Sequence, residues 1–267
     1  MPSIKKPGTH ILDGRDKFVE DILLLLRNGS FNDIRILLED GEITANKDVL
    51  ATRCEYFATM FSNNEVKFIE GETNSVDFSY CSKVVMDKII DYLFSGEMKL
   101  HDLSLEQLLS LMNMASLMLL DDVFVHVENF VSGWLPDSGV NCAFLPELIS
   151  GLILAEQFKL DAIKDVITLE LHKSLKDVPH IPDVVKDSLK FKILPYNLLK
   201  DILLIEKEDG NEMNLSPSTR QKFDAFVFWL SGNSCSEEEK KKIVDSFNFD
   251  DFTVEELLTD KDFCKSP

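Results

Sequence analysis

The chain has 267 residues, 45% of them hydrophobic and 28% charged, enough for one large domain or two ordinary ones with sizeable cores. Asp plus Glu number 47 against 28 Lys plus Arg, a formal charge of −19. Such a surface repels a phosphate backbone and argues against a nucleic-acid partner, while it suits basic partners or plain solubility.

Residues 1–14 are polar, with Pro and Gly, and read as a flexible tail. In "RDKFVEDILLLLRNGS", Phe18, Ile22, Leu25 and Leu26 fall on one helical face. Val19, Leu23 and Leu24 spread apolar surface around much of the remaining circumference, and Asn28-Gly29 supplies a C-terminal cap. Two readings stay open for this helix: burial deep in its own core, or one face on the core and another on a second subunit. "FNDIRILLEDGEITA" alternates Ile34, Ile36 and Leu38, turns at Asp40-Gly41 and returns through Ile43 and Ala45, which predicts a hairpin. "NKDVLATRCEYFATMF" then reads as one helix with an apolar stripe of Val49, Leu50, Cys54, Phe57 and Phe61. The acidic stretch "FSNNEVKFIEGETN" carries Val66, Phe68 and Ile69 in its middle. "NSVDFS" offers a short strand, and "SKVVMDKIIDYLFSG" a helix with Val85, Ile89 and Leu93 on one face and Gly96 as its stop. "HDLSLEQLLSLMNMASLMLL" opens on a capping box, Ser104 with Gln107, and places Leu108, Leu111, Met112, Ala115 and Leu119 in a core. "DDVFVHVENFVSGWL" is a helix through Phe130.

Pro136 to Gly139 interrupt this pattern and mark a boundary at about 133–139. Beyond it every periodic segment is helical: "CAFLPELISGLILAEQF", "LDAIKDVITLELHKSL", "PYNLLKDILLIEKE", "SPSTRQKFDAFVFWLSG", "SEEEKKKIVDSF" and a short "TVEELL". Glu237 to Glu239 face Lys240 to Lys242 at three- and four-residue spacings, which supports an exposed helix. The two halves differ, mixed α+β first and all-α second, with no internal repeat.

No motif of a recognisable chemistry is found: no Gly-rich phosphate loop, no nucleophile elbow, no dinucleotide fingerprint. His10, His101, His126, His172 and His180 lack metal-ligand spacing. Acid pairs such as Asp121-Asp122 and Asp250-Asp251 arise readily among 47 acids. No enzyme activity, cofactor or metal is expected. The five cysteines, Cys54, Cys81, Cys142, Cys235 and Cys264, are odd in number and widely spaced, which fits small buried hydrophobes better than disulfides. The start "MPSIKKPGTH" has no apolar core for a signal peptide, and no apolar run reaches the roughly 18 residues of a membrane span. A reducing compartment, cytoplasm or nucleus, is the expectation.

The run "FNDIRILLEDGEITANKDVLATRCEYFATMF" resembles the start of a BTB/POZ domain. Phe31 and Asp33 match that family's Phe-x-Asp, and Ala45, Lys47, Val49-Leu50-Ala51, Tyr56-Phe57 and Met60-Phe61 follow in its order. Asn46 stands where the family usually has His. Tyr92, Phe94, Ser95 and Gly96 in "IIDYLFSGEMKL", and the helix pair "LEQLLSLMNMASLMLLDDV", extend the likeness over about residues 15–131. The second half is similar to a BACK domain, through Asn141-Cys142, Ala155, Phe158, Leu160, Trp229-Leu230 and the closing Phe249, Phe252 and Leu257-Leu258, without that family's arginines. Neither a kelch propeller nor a MATH pattern is found in the chain.

The resemblance implies an α+β BTB/POZ domain over 15–132, a small mixed sheet packed with helices, then a BACK-like all-α domain over 133–267. Many such proteins are homodimeric adaptors of cullin-3 ubiquitin ligases. In the family the first helix packs across the dimer axis, which assigns Phe18, Val19, Ile22, Leu23 and Leu26 to a dimer interface. Cullin-binding members carry an apolar-x-Glu motif after the Tyr-Phe…Phe helix, and Phe68-Ile69-Glu70 fits it; Phe61, Phe68 and Glu70 are the implied cullin-binding residues. The competing reading folds Phe68 and Ile69 inward as a short strand. The substrate would be a protein of unknown identity. A cullin-independent BTB interaction scaffold is the alternative; a zinc-finger transcription regulator fits less well, because the chain lacks the ligands and the basic charge.

Overall fold

The structure is a computed structural model that describes residues 15–62, 74–137, 144–176, 194–203, 219–233 and 236–245. The predicted tail 1–14, the motif Phe68-Ile69-Glu70, the segment "TVEELL", His180 and Cys142, Cys235 and Cys264 lie outside the described residues. Two compact units emerge, residues 1–101 with 114–121, and residues 102–113 with 122–267.

The first unit is α+β. Helix α1 (Arg15–Arg27) ends as Asn28-Gly29 predicts. Gly29 adopts φ 71°, and the Ser30 amide reaches back to the Leu25 carbonyl at 3.3 Å, the six-to-one bond of a Schellman cap. Strands β1 (Ile34–Leu38) and β2 (Gly41–Ala45) pair antiparallel, Ile34 opposite Ala45 and Leu38 opposite Gly41. Strand β3 (Ser75–Phe78) runs parallel to β1 on its other side, giving the order β2-β1-β3. The alternation is literal: Ile34, Ile36 and Leu38 are buried, Arg35 and Leu37 are exposed. Helix α4 (Lys83–Ser95) buries Val85, Ile89 and Leu93 and stops at Gly96, φ 75°.

The single helix expected over "NKDVLATRCEYFATMF" is two, α2 (Lys47–Arg53) and α3 (Glu55–Ser62). Cys54 between them is extended, φ −142° and ψ 120°. Its amide still donates to Leu50 at 2.9 Å and its carbonyl accepts from Ala58 at 3.0 Å. The chain therefore turns at Cys54 without orphaning backbone groups, and the apolar stripe reads as unbroken.

Helix α5 (Leu105–Leu117) starts at the predicted capping box: the Ser104 amide donates to Gln107 Oε1 at 2.9 Å and the Gln107 amide to Ser104 Oγ at 3.3 Å. Leu119 departs from expectation, being 64% exposed rather than in the core. The helix has already ended, Leu119 occupies the left-handed region at φ 58°, and the Leu120 amide closes back on the Ala115 carbonyl at 2.8 Å. The division between the two units falls within α5.

The second unit is helical in its described residues. Helix α6 (Asp121–Asp137) runs past Phe130 and includes Pro136; a proline in the last turn removes one amide bond where little helix remains to disrupt. Helices α7 (Leu145–Phe158), α8 (Asp161–Lys176), α9 (Tyr196–Leu203), α10 (Thr219–Leu230) and α11 (Glu237–Val244) follow. Gly151 lets α7 approach closely: a Cβ there would lie 2.7 Å from Leu105 Cδ2 and 3.3 Å from Ile167 Cδ1. Glu147 of α7 accepts from the Leu105 amide at 2.9 Å, serving an unpaired donor of α5's first turn. Lys164 bridges Glu156 at 2.9 Å and Asp201 at 3.2 Å, tying α7, α8 and α9. Trp229 buries its ring and donates Nε1–H to the Leu194 carbonyl at 2.9 Å.

Candidate partner-binding surfaces

Aromatic packing positions the end of α3. Phe57 is fully buried, with Tyr56, Phe61 and Phe78 at ring-centroid distances of 5.7, 5.7 and 6.2 Å. Phe61 stacks on it at an interplanar angle of 21° and is itself half-buried. Phe78 continues the cluster to Tyr80 at 5.9 Å, and Tyr80 is exposed. Phe61 therefore reaches the surface on a rigid support, which lowers the entropic cost of presenting it to a partner. Of the three residues assigned to cullin binding only Phe61 is described; Phe68 and Glu70 are outside the described residues.

The start of α2 shows why Asn can stand at position 46. Its Oδ1 accepts from the Val49 amide at 3.0 Å, an N-cap bond, and its Nδ2 donates to the Phe31 carbonyl at 2.8 Å. Asp33 Oδ1 accepts from the Lys47 amide at 2.8 Å. At the other end of α2, Cys54 Sγ lies 3.5 Å from the Met118 carbonyl, so the end of α5 meets the α2–α3 bend. Leu117 and Leu119 are exposed there. Sequence periodicity missed both; Leu119 in particular reads as core until its left-handed backbone is seen. Burial raises the thiol pKa of Cys54, and pushes that of Cys81 up to about 12 with Asp40 and Glu39 adding to the effect. Both are free and buried, which makes them packing residues rather than nucleophiles.

A second apolar surface lies on α1, which packs on α4. Ile22 is 38% exposed, Leu24 58% and Leu25 40%, while Leu23 is half-buried. Nearby in sequence, Phe31 is exposed too. The side chains of Phe18, Val19 and Leu26 are outside the described residues. Leu24, the most exposed of the described leucines on α1, was not among the residues singled out for a dimer. Its signal was the uninterrupted run Ile22 to Leu26, too apolar for a helix with one covered face.

Among the described residues no group of three or more His, Cys, Asp or Glu could hold a metal, and no helix is long and apolar enough to cross a membrane. The buried ionisable groups serve structure. Glu170 pairs with Lys173 at 2.5 Å. His172 sits with Nε2 3.2 Å from the Asp201 carbonyl, and burial, with Lys222 adding to it, holds its pKa below the ordinary value against the opposing carbonyls of Asp201 and Ile202. The unfolded chain therefore binds a proton more readily, so stability is expected to fall as the pH drops below about 6.5. His172→Gln should flatten that decline in urea titrations run at several pH values. Parallel profiles for wild type and variant would contradict it.

A family model for the BTB/POZ domain matches residues 23–133, from within α1 to within α6. These residues are a BTB/POZ domain. The chain is 38% identical over 71 residues to human Rho-related BTB domain-containing protein 2, covering 27% of this chain and 9% of that protein. Against human Gigaxonin it is 26% identical over 202 residues, 75% of this chain and 30% of that one. Against Kelch-like protein 38 of Danio rerio it is 27% identical over 142 residues, 53% and 23% respectively. The matched stretches thus span less than a third of each relative. A solved structure of the BTB domain of human Gigaxonin superposes with a TM-score of 0.35 at 23% identity, covering 47% of this chain and 99% of that one; the BTB/POZ assignment rests on the sequence match instead. As a fold, the BTB/POZ domain here is the small mixed sheet with its helices, and a helical region follows it.

Proposed function

We propose that the protein is a homodimeric BTB–BACK adaptor that binds cullin-3 and recruits a protein substrate for ubiquitination. The observation that carries this reading is the BTB/POZ domain's apolar surface at the end of α3. Phe61 is presented on the buried Phe57, directly before a segment whose Phe68-Ile69-Glu70 fits the apolar-x-Glu pattern. Leu117 and Leu119 add exposed apolar area on the same unit. A Phe filling a partner pocket is a typical interface anchor, its truncation costing about 1–4 kcal/mol. The net charge of −19 would speed encounter with a basic partner surface. The alignment with Gigaxonin over 202 residues supports extending the likeness past the BTB/POZ domain into the helical half, where the BACK reading lies. The adaptor role needs no catalytic centre, and free buried cysteines suit the cytoplasm or nucleus.

Phe68→Ala combined with Glu70→Lys is expected to weaken binding of the cullin-3 N-terminal region at least tenfold, which is about 1.4 kcal/mol or more, with the circular dichroism spectrum unchanged. Equal affinity of wild type and variant in calorimetry sinks the assignment of these residues. No binding by the wild type leaves the cullin-independent scaffold.

A further inference from the structure

Lys47 is the first residue of α2, behind the N-cap Asn46. A cation there opposes the helix dipole, which favours acids in the first turn, so helix stability gives no reason for a lysine. Its backbone is fixed, the amide being held by Asp33 Oδ1. Its side chain leaves the helix and meets two other elements. The ammonium donates to Asn74 Oδ1 at 2.7 Å and lies 5.8 Å from the centroid of the Phe61 ring. Phe61 belongs to the last turn of α3 and Asn74 immediately precedes β3. One side chain thus joins two points 13 residues apart in the chain.

Both partners are themselves firmly placed. Phe61 stacks on the buried Phe57. Asn74 holds φ 51°, a conformation that Asn and Gly tolerate best, and its carbonyl accepts from the Arg35 amide at 2.9 Å, opening the β1–β3 pairing. Ammonium–ring and ammonium–amide contacts at such partly exposed sites are each worth about two- to fivefold in an equilibrium constant. Lys47 is well placed to use them, because its flexible stem ends in three donors that can serve two partners at once.

We propose that Lys47 is a positioning residue: it clamps the end of α3 to the start of β3 and so fixes how Phe61 is presented on the partner-binding surface. In its effect on affinity this rests on the cullin-3 reading above; the clamp itself does not.

The test uses the full chain with Lys47→Met, which keeps the stem and removes the cation, Lys47→Arg, which keeps a cation and donors, and Asn74→Gly, which keeps the left-handed backbone and removes the acceptor. Lys47→Met and Asn74→Gly should each weaken binding of the cullin-3 N-terminal region about threefold to tenfold. The double variant should lose no more than the worse single one, and Lys47→Arg should stay within about twofold of wild type. Amide hydrogen exchange at Ser75–Phe78 in the free chain should quicken severalfold in each single variant, and no further in the double. If Phe68→Ala with Glu70→Lys weakens binding while Lys47→Met and Asn74→Gly leave it unchanged, the positioning role is overturned and the cullin reading stands. If the wild type does not bind cullin-3, the cullin reading falls and exchange alone decides: coupled effects keep the clamp, additive or absent effects overturn it.

Discussion

Phe57→Ala is expected to destabilise the BTB/POZ domain by about 3–5 kcal/mol, the range for truncating a buried aromatic. Phe57 is fully buried, and its ring contacts Tyr56, Phe61 and Phe78. Those neighbours belong to α3 and β3, and the turn at Cys54 fixes the direction in which α3 presents them. Collapse around the missing ring would have to move a helix against a sheet, so a cavity remains. The stack beneath Phe61 disappears as well, so partner binding should weaken along with stability. Phe57→Leu refills much of the volume and should cost markedly less. Urea denaturation followed by far-ultraviolet circular dichroism measures both variants. A loss below about 1 kcal/mol for Phe57→Ala would mean that the cluster does not organise this domain.

Replacing Leu24 and Leu25 together by Asp is expected to turn a dimer into a monomer, weakening self-association by at least a hundredfold. In a single chain these side chains are 58% and 40% exposed, so carboxylates there cost the protomer little. In a two-fold interface each substitution counts twice, and burying unpaired carboxylates costs several kcal/mol. The variant should therefore keep its circular dichroism spectrum and halve its mass in light scattering at micromolar concentration. A wild type that is already monomeric under those conditions, or a variant that keeps the dimer mass, contradicts the assignment of α1 to the interface.

Much of the fold is legible in the chain because local rules and the final packing agree. Ile34, Ile36 and Leu38 alternate since β1 has one covered face. Val85, Ile89 and Leu93 repeat at helical spacing since α4 has one too, and Gly96 and the Ser104–Gln107 box mark a helix end and a helix start. The failures have physical causes as well. The turn at Cys54 is invisible because the hydrogen bonds through Leu50 and Ala58 persist across it. Leu119 keeps the helical spacing of a core residue, but the backbone has already turned left-handed. The α6 extension through Pro136 hides because proline is read as a stop, whereas its cost depends on how much helix follows. At the candidate binding surface, the stripe already places Phe57 and Phe61 one turn apart on α3, but the packing of Phe57 against Phe78 of β3 and the exposure of Leu24 depend on contacts across elements, which periodicity does not encode.

The division of the chain inside α5 has a practical consequence for recombinant fragments. A piece ending near Asp137 looks natural, since α6 ends at Asp137 and the BTB/POZ match ends at 133. Such a piece would retain Leu105 but lose Gly151, which lies against it, and the Glu147 carboxylate that serves its amide. The amino-terminal half of α5 would then offer bare leucine to solvent. Clumping of that fragment during purification would reflect the cut rather than any self-association of the intact protein.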